Sequence, residues 1–268
     1  MSKEPRIPVM EIFGPTIQGE GLMSGTVTHF LRTGGCGLRC KWCDTMFAVD
    51  PKQIRAGRAM MTTGEILTTV KSLPQAPYLT LTGGDPCLHQ HLGEIINPLN
   101  VAGIRIAVET QGELFPDWLS QADVITFSPK PPSSGNVVDY RAINEWIYSK
   151  WGYMKRATQI CIKVVCFDDL DYQYALQVYN SIAHPLYDSF YFTAGTPGFD
   201  NTKEVLPQPT SREAAEARAI ERILGIVGGE RWLADKMVMH AGDTNFNHKV
   251  HVGCQQHALL WPEFDRGR

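Results

Sequence analysis

Short apolar and β-branched runs recur along the chain, separated by Gly/Pro punctuation and by longer segments of amphipathic spacing. In order, they predict strands near Val9–Phe13, Val27–Arg32, Tyr78–Thr82, Arg105–Glu109, Val124–Phe127, Gln159–Cys166, Ser189–Ala194 and Lys236–His240. Helical spacing covers Thr63–Ser72, Leu92–Leu99, Leu170–Ser181 and Arg212–Val227. The last of these, REAAEARAIERILGIV, is Ala-rich and charged along one face, with Ser211 placed as its N-cap. The segments Phe47–Met61 and Pro129–Trp151 read as loops. Strand and helix alternate through most of the chain, which predicts an α/β fold with a mostly parallel sheet and crossover helices. No internal repeat or linker interrupts the pattern, so residues 1–268 read as one domain.

Composition narrows this picture. A chain of 268 residues with 43% apolar side chains has ample material for a hydrophobic core. The 24 glycines and 17 prolines argue against a coiled coil. A formal net charge of −3 argues against a protein that coats nucleic acid. No stretch approaches the ~20 uninterrupted apolar residues of a membrane-spanning helix, and the first residues, MSKEPRIPVM, lack the apolar run of a secretory signal. Seven cysteines, an odd number, do not read as a disulfide framework. The expectation is a reducing, cytoplasmic setting, where grouped cysteines point to a metal or to redox chemistry.

Cys36, Cys40 and Cys43 form such a group, CxxxCxxC, within FLRTGGCGLRCKWCDT. Random placement of the cysteines would produce this triplet about 0.005 times per chain. Three thiolates on one short loop can converge on a single metal centre. A structural zinc would want a fourth Cys or His, whereas a 4Fe–4S cluster held by three cysteines keeps one iron open to another ligand. The loop follows the predicted strand Val27–Arg32, and so emerges where ligands bind in parallel α/β folds.

This spacing in this position resembles the radical S-adenosylmethionine (SAM) superfamily. Trp42, before the third cysteine, is aromatic as is usual there. Three further segments follow in the superfamily's order. Leu81-Thr82-Gly83-Gly84-Asp85-Pro86 resembles the GGE motif that meets the SAM amino group, with Asp85 one methylene shorter than the usual Glu. Val108-Glu109-Thr110-Gln111-Gly112 resembles the ETxG segment at the ribose and methionyl end, and Phe127-Ser128-Pro129-Lys130 matches an SPK segment that also lines the SAM site. The resemblance implies an incomplete TIM-like barrel of mostly parallel strands. It also implies a 4Fe–4S cluster on the three cysteines and SAM contacts from Trp42, Gly83, Gly84 and Asp85. Glu109, Thr110, Ser128 and Lys130 complete that implied SAM site.

The N-terminal run is more particular. Glu11-Ile12-Phe13-Gly14-Pro15-Thr16-Ile17-Gln18-Gly19-Glu20-Gly21, then Phe30-Leu31-Arg32, then Cys43-Asp44-Thr45, closely resembles the 7-carboxy-7-deazaguanine synthase family, with a further block at Gln255-Gln256-His257. That family contracts the ring of 6-carboxy-5,6,7,8-tetrahydropterin with loss of ammonia, on the way to queuosine and other 7-deazapurines. The resemblance implies that an adenosyl radical takes hydrogen from C6 and that the hydrogen later returns, so SAM is regenerated. A pterin presents guanine-like N–H donors that Glu20 can accept, and a carboxylate that the Arg32 fork can hold. Gln18, Thr82 and His257 are further implied substrate contacts. Thr45 is the implied protein ligand of a Mg²⁺ that also meets the substrate carboxylate. An electron donor such as flavodoxin or ferredoxin and a homodimer are implied as partners.

Departures and rivals remain in view. Gln111 stands where Ser or Asn is common, Phe192–Pro197 lacks an expected Gln-Pro pair, and the tail Trp261–Arg268 runs past the end of many relatives. His248, His251, Cys254 and His257 recur every three residues, but Val250, Val252 and Gly253 read as a strand, where that period alternates faces. Cys161 and Cys166 lie in an apolar strand and read as core, while Cys87 lies beside the predicted SAM loop. The rival readings are a glycyl-radical-enzyme activase, which shares the cysteine loop, and a non-catalytic iron–sulfur or zinc protein.

Overall fold

Long apolar runs in the middle of the chain become strands buried on both faces, as a parallel sheet covered by helices requires. The computed structural model describes residues 4–150, 152, 154, 157–182, 186–196, 211–244, 246–247 and 249–260, except for the side chains of 243, 244 and 257. The strands are β1 (Ile7–Ile17), β2 (Val27–Thr33), β3 (Ala59–Met61), β4 (Tyr78–Gly83), β5 (Arg105–Thr110), β6 (Val124–Phe127), β7 (Gln159–Cys166), β8 (Ser189–Ala194) and β9 (Val250–Gly253). They form one nine-stranded sheet in the order β3-β1-β2-β4-β5-β6-β7-β8-β9. From β2 to β9 every pairing is parallel, while β1 runs antiparallel to both β2 and β3.

The sheet curls without closing. β1 and β9 lie far apart in the strand order, yet the Gln256 amide just after β9 donates to the Gly19 carbonyl just after β1, at 2.9 Å. The 3-10 turn Gly21–Met23, also after β1, packs against β7 and β8. Gly21 has φ of +60°, and a Cβ there would lie 3.3 Å from the Cys161 sulfur on β7. This is the incomplete barrel that the resemblance implies.

Seven α-helices accompany the sheet among the described residues: α1 (Pro51–Gly57), α2 (Thr63–Ser72), α3 (Gly93–Val101), α4 (Arg141–Lys150), α5 (Asp169–Ser181), α6 (Arg212–Thr244) and α7 (Gln256–Leu260). Their starts have local causes. Thr62 and Glu65 form a reciprocal capping box before α2, Asp168 caps α5, and the Ser211 hydroxyl accepts from the Ala214 amide to cap α6. Ile66 and Val70 of α2, Ile95 and Leu99 of α3, and Tyr172 and Val178 of α5 join Leu31, Leu81, Ile125 and Ile162 of the sheet in one core. Truncating a fully buried member such as Leu81 would cost about 2–5 kcal/mol through lost contacts and the cavity left behind. Cys161 and Cys166 are buried in β7, as expected of core cysteines. No helix among the described residues is long and apolar enough to cross a membrane.

Three expectations need correction. Lys236–His240 is not a strand but part of α6. Its alternating KMVMH pattern mimics a two-residue period, but the helix continues through it: Lys236 bonds Asp169 of α5 at 2.8 Å and the His240 ring meets the Lys236 carbonyl one turn back. The sheet position beside β8 goes instead to β9, at the Val250–Gly253 segment whose spacing reads as a strand. Phe47–Met61 is not a loop but carries α1 and β3, with Asp50 as side-chain cap and Pro51 in the first turn. Pro129–Trp151 contains α4, which buries Ile143, Trp146 and Ile147 at helical spacing.

Candidate active site

The parallel strands end around one cavity of about 200 Å³. Its two sides differ in construction.

One side is mostly loop backbone and sulfur. The segment after β2 carries Cys36, Cys40 and Cys43 to the cavity wall. Polar hydrogens approach the sulfurs: the Leu38 amide lies 3.4 Å from Cys36 and the Asn136 side-chain amide 3.4 Å from Cys40. The Thr45 hydroxyl is 3.7 Å from Cys43. Burial pushes all three thiols up, Cys40 to about 11, and the nearby Lys130 ammonium opposes that rise. The loop is docked by backbone bonds from Gly35 to Ala48, Asp85 to Gly35 and Lys41 to Ser134. That docking explains the paired glycines at the end of β4. A Cβ on Gly84 would sit 1.9 Å from the Gly35 carbonyl oxygen, and one on Gly83, at φ +133°, would sit 2.2 Å from the Thr33 oxygen.

Trp42 lies on Phe167, ring centroids 5.1 Å apart, with its indole N–H donated to Ser133 at 2.9 Å. Lys130 reaches across from the end of β6, donating to the Ser128 hydroxyl at 3.0 Å and lying 5.9 Å above the Trp42 ring. Asp85 does not line the cavity. It is 1% exposed and turned into the protein, accepting from the Thr110 hydroxyl and the Cys87 amide. Desolvation pushes its carboxyl above the usual range, against those hydrogen bonds. It therefore braces the wall that Gly83, Gly84 and Thr110 present to the cavity. Expected as a SAM contact, it stands one layer behind.

The other side is built of charged and polar side chains brought together from separate strands. Arg32 of β2, 7% exposed, gives its Nε to Glu11 of β1 at 2.6 Å. Glu109 of β5 accepts from Gln18 at 3.1 Å and from the Thr82 hydroxyl at 2.9 Å. Glu20 accepts from Gln255 at 2.6 Å and pairs with Lys163 of β7. Lys163 also lies 3.9 Å from Glu109. Burial alone would lower this lysine, but the Glu20 and Glu109 charges outweigh it and hold the ammonium above its usual range. Gln255 further reaches Asp44 at 3.4 Å and accepts from the Thr196 hydroxyl.

Most of the expected site residues thus share one cavity: Gln18, Glu20, Arg32 and Thr82 on this side, and Trp42, Thr45, Gly83, Gly84, Thr110, Ser128 and Lys130 around the thiols. Glu109, expected as a SAM contact, lines the same cavity and bonds Gln18 and Thr82, with Lys163 3.9 Å away. The His257 side chain lies outside the described residues, as does His248. His251 of the same histidine series is exposed and stacks on Tyr191, while Cys254 is buried. Lys163 and Thr196 were missed by sequence reasoning, and Gln255 was read only as part of a block. Lys163 did leave a trace, as the one charge in the otherwise apolar β7, QICIKVVC.

Three thiols facing a cavity, with N–H donors at two of the sulfurs, a hydroxyl beside the third and a cation nearby, fit a cluster that takes one thiolate per iron and leaves one iron open. They do not close around a single ion-sized point. A strand-end cavity of this kind in a curled, mostly parallel sheet defines a radical SAM protein, and residues 30–123 match the Radical SAM superfamily. That superfamily implies a 4Fe–4S cluster and SAM.

Over 261 residues the chain is 36% identical to the 7-carboxy-7-deazaguanine synthase of Bacillus cereus, covering 96% of this chain and 97% of that one. Over 262 residues it is 35% identical to the synthase of the same name from Bacillus subtilis, covering 95% and 96%. The crystal structure of QueE from Escherichia coli shares the fold, with a TM-score of 0.62 at 18% identity over 94% of this chain and 95% of that one. The chain belongs to the 7-carboxy-7-deazaguanine synthase family. That membership sets aside both the activase and the non-catalytic readings.

Proposed function

We propose that this protein converts 6-carboxy-5,6,7,8-tetrahydropterin to 7-carboxy-7-deazaguanine and releases ammonia. The observation that carries the reading is the two-sided cavity: hydrogen-bond-accepting carboxylates and an arginine face the same space as the three thiols. Cys36, Cys40 and Cys43 would hold the 4Fe–4S cluster, and the bound cluster and SAM together supply a 5′-deoxyadenosyl radical.

The chain's own groups do the binding and orienting. Gly83, Gly84 and Thr110 offer backbone and hydroxyl groups to the SAM methionyl end, with Ser128 and Lys130 beside them. Glu20 accepts N–H donors from the guanine-like edge of the pterin, and Glu109 with Gln18 and Thr82 continues that surface. Arg32, with Nε occupied by Glu11, keeps its two terminal nitrogens as a fork for the substrate carboxylate. Thr45 beside Asp44 would hold a partly hydrated Mg²⁺ against the same carboxylate. His257 would be a further substrate contact. A flavodoxin or ferredoxin would supply the electron, and the single-domain chain would act in the cytoplasm as a homodimer.

The test is turnover. Anaerobically reconstituted protein with SAM, a reductant and 6-carboxytetrahydropterin should yield 7-carboxy-7-deazaguanine. Cleavage of SAM without that product would show the substrate assignment to be wrong.

A further inference from the structure

Lys163 is a buried charge at the cavity whose task the reading above leaves open. It is 6% exposed on β7, pairs with Glu20, and lies 3.9 Å from Glu109. Two carboxylates that flank one buried point repel, and without a counter-charge such a pair shares a proton. A carboxyl that carries that proton donates a hydrogen bond where the carboxylate could only accept. The state of the pair therefore decides which kind of heterocycle edge the wall can read.

We propose that Lys163 is a specificity-determining positioning residue: its fixed ammonium keeps Glu20 and Glu109 both acceptor-only, so the wall selects a ring edge of N–H donors and rejects one that offers a carbonyl there. The inference rests on the pterin reading and extends it to the choice between a 2-amino-4-oxo ring and its 2,4-dioxo analogue.

The surroundings support a fixed rather than a shuttling charge. The Glu20 oxygen not facing Lys163 accepts from Gln255, and Glu109 is held by Gln18 and Thr82, so neither carboxylate swings freely. Among the described residues, the ionisable groups near the pair include Cys161, two residues along β7, Cys254, which follows β9 and acts on Glu20, Asp44, reached through Gln255, and Arg32, committed to Glu11. None of these supplies a second cation directly between the carboxylates. Because the two carboxylates hold the ammonium above its usual range, Lys163 stays charged at any ordinary pH. A site whose polar groups match one edge rejects the mismatched edge strongly, since the mismatch leaves buried groups unpaired.

The experiment compares binding of 6-carboxypterin and 6-carboxylumazine to the reconstituted, SAM-loaded protein, followed by ligand fluorescence across a range of pH. Wild type should favour the pterin by about 100-fold or more, at a ratio that changes little with pH. K163Q should bring the ratio within about tenfold at neutral pH, and the preference should return as pH rises and the shared proton leaves. K163M should behave alike if K163Q does not fold. E109M/K163M, which leaves one carboxylate without a partner to share a proton and adds no new donor to the wall, should regain the preference. A wild-type ratio at every pH in both single variants, whatever happens to affinity or stability, would reduce Lys163 to a structural brace. A double variant that stays unselective would equally overturn the proton-sharing account. Failure of wild type to bind 6-carboxypterin would instead count against the proposed function.

Discussion

The two sides of the cavity solve different problems with different materials. The thiol side is made of short sequence segments: a cysteine loop, two adjacent glycines whose missing side chains let backbones touch, and polar hydrogens directed at sulfur. The facing side is made of side chains that lie far apart in sequence, with Glu20, Glu109, Lys163 and Gln255 joined only through the sheet's curl. The first side is intolerant of volume. The second is intolerant of changes in charge. A site that must hold a large inorganic group and also discriminate a small organic one has reason to separate these demands.

Substitutions can break that division or sharpen it. The largest effect belongs to Cys40→Ala, which should abolish cluster iron and 5′-deoxyadenosine formation together. Wild-type iron content in that variant would remove the thiol side from the mechanism. Next comes Gly84→Ala, where a methyl group would meet the Gly35 carbonyl at 1.9 Å. The backbones must part, at a cost of roughly 3 kcal/mol or more. Melting temperature and iron content should fall together although no charge has changed.

On the other side, Arg32→Lys keeps the charge and loses the fork. It should raise KM for the pterin about 10–100-fold while leaving iron content and basal SAM cleavage near wild type. An equal loss of SAM affinity would show that the two sides are not separable. The smallest effect expected is from Trp42→Phe. It keeps the contact with Phe167 but gives up the bond to Ser133, costing about 1 kcal/mol of stability, read as a small shift in thermal unfolding with the cluster intact.

The same division explains what could be read from the sequence. The thiol side was legible because its chemistry is local: CxxxCxxC, Thr82-Gly83-Gly84 and Ser128-Pro129-Lys130 each sit at one strand end. The strands β4 to β8 were legible because burial on both faces demands unbroken apolar runs. Lys163 was not, since a lysine in an apolar strand says only that a partner exists, and Glu20 lies 143 residues away. The orientation of Asp85 was not legible either: its place in a familiar motif located the residue, but not that its side chain turns inward to Thr110. Lys236–His240 misled because five residues cannot separate a two-residue period from a helix held in place by Asp169 of α5.

The hydrogen bond from the Gln256 amide to the Gly19 carbonyl joins the segments after β9 and β1, which lie far apart in the curled sheet, at the rim of the cavity. An amide in such a bond trades its proton for deuterium only when the bond opens. The exchange rate of this one amide therefore counts how often the rim parts. A bound pterin that rests on Glu20, the residue after Gly19, should slow that exchange in proportion to its occupancy, so a single backbone proton becomes a clock for entry and release.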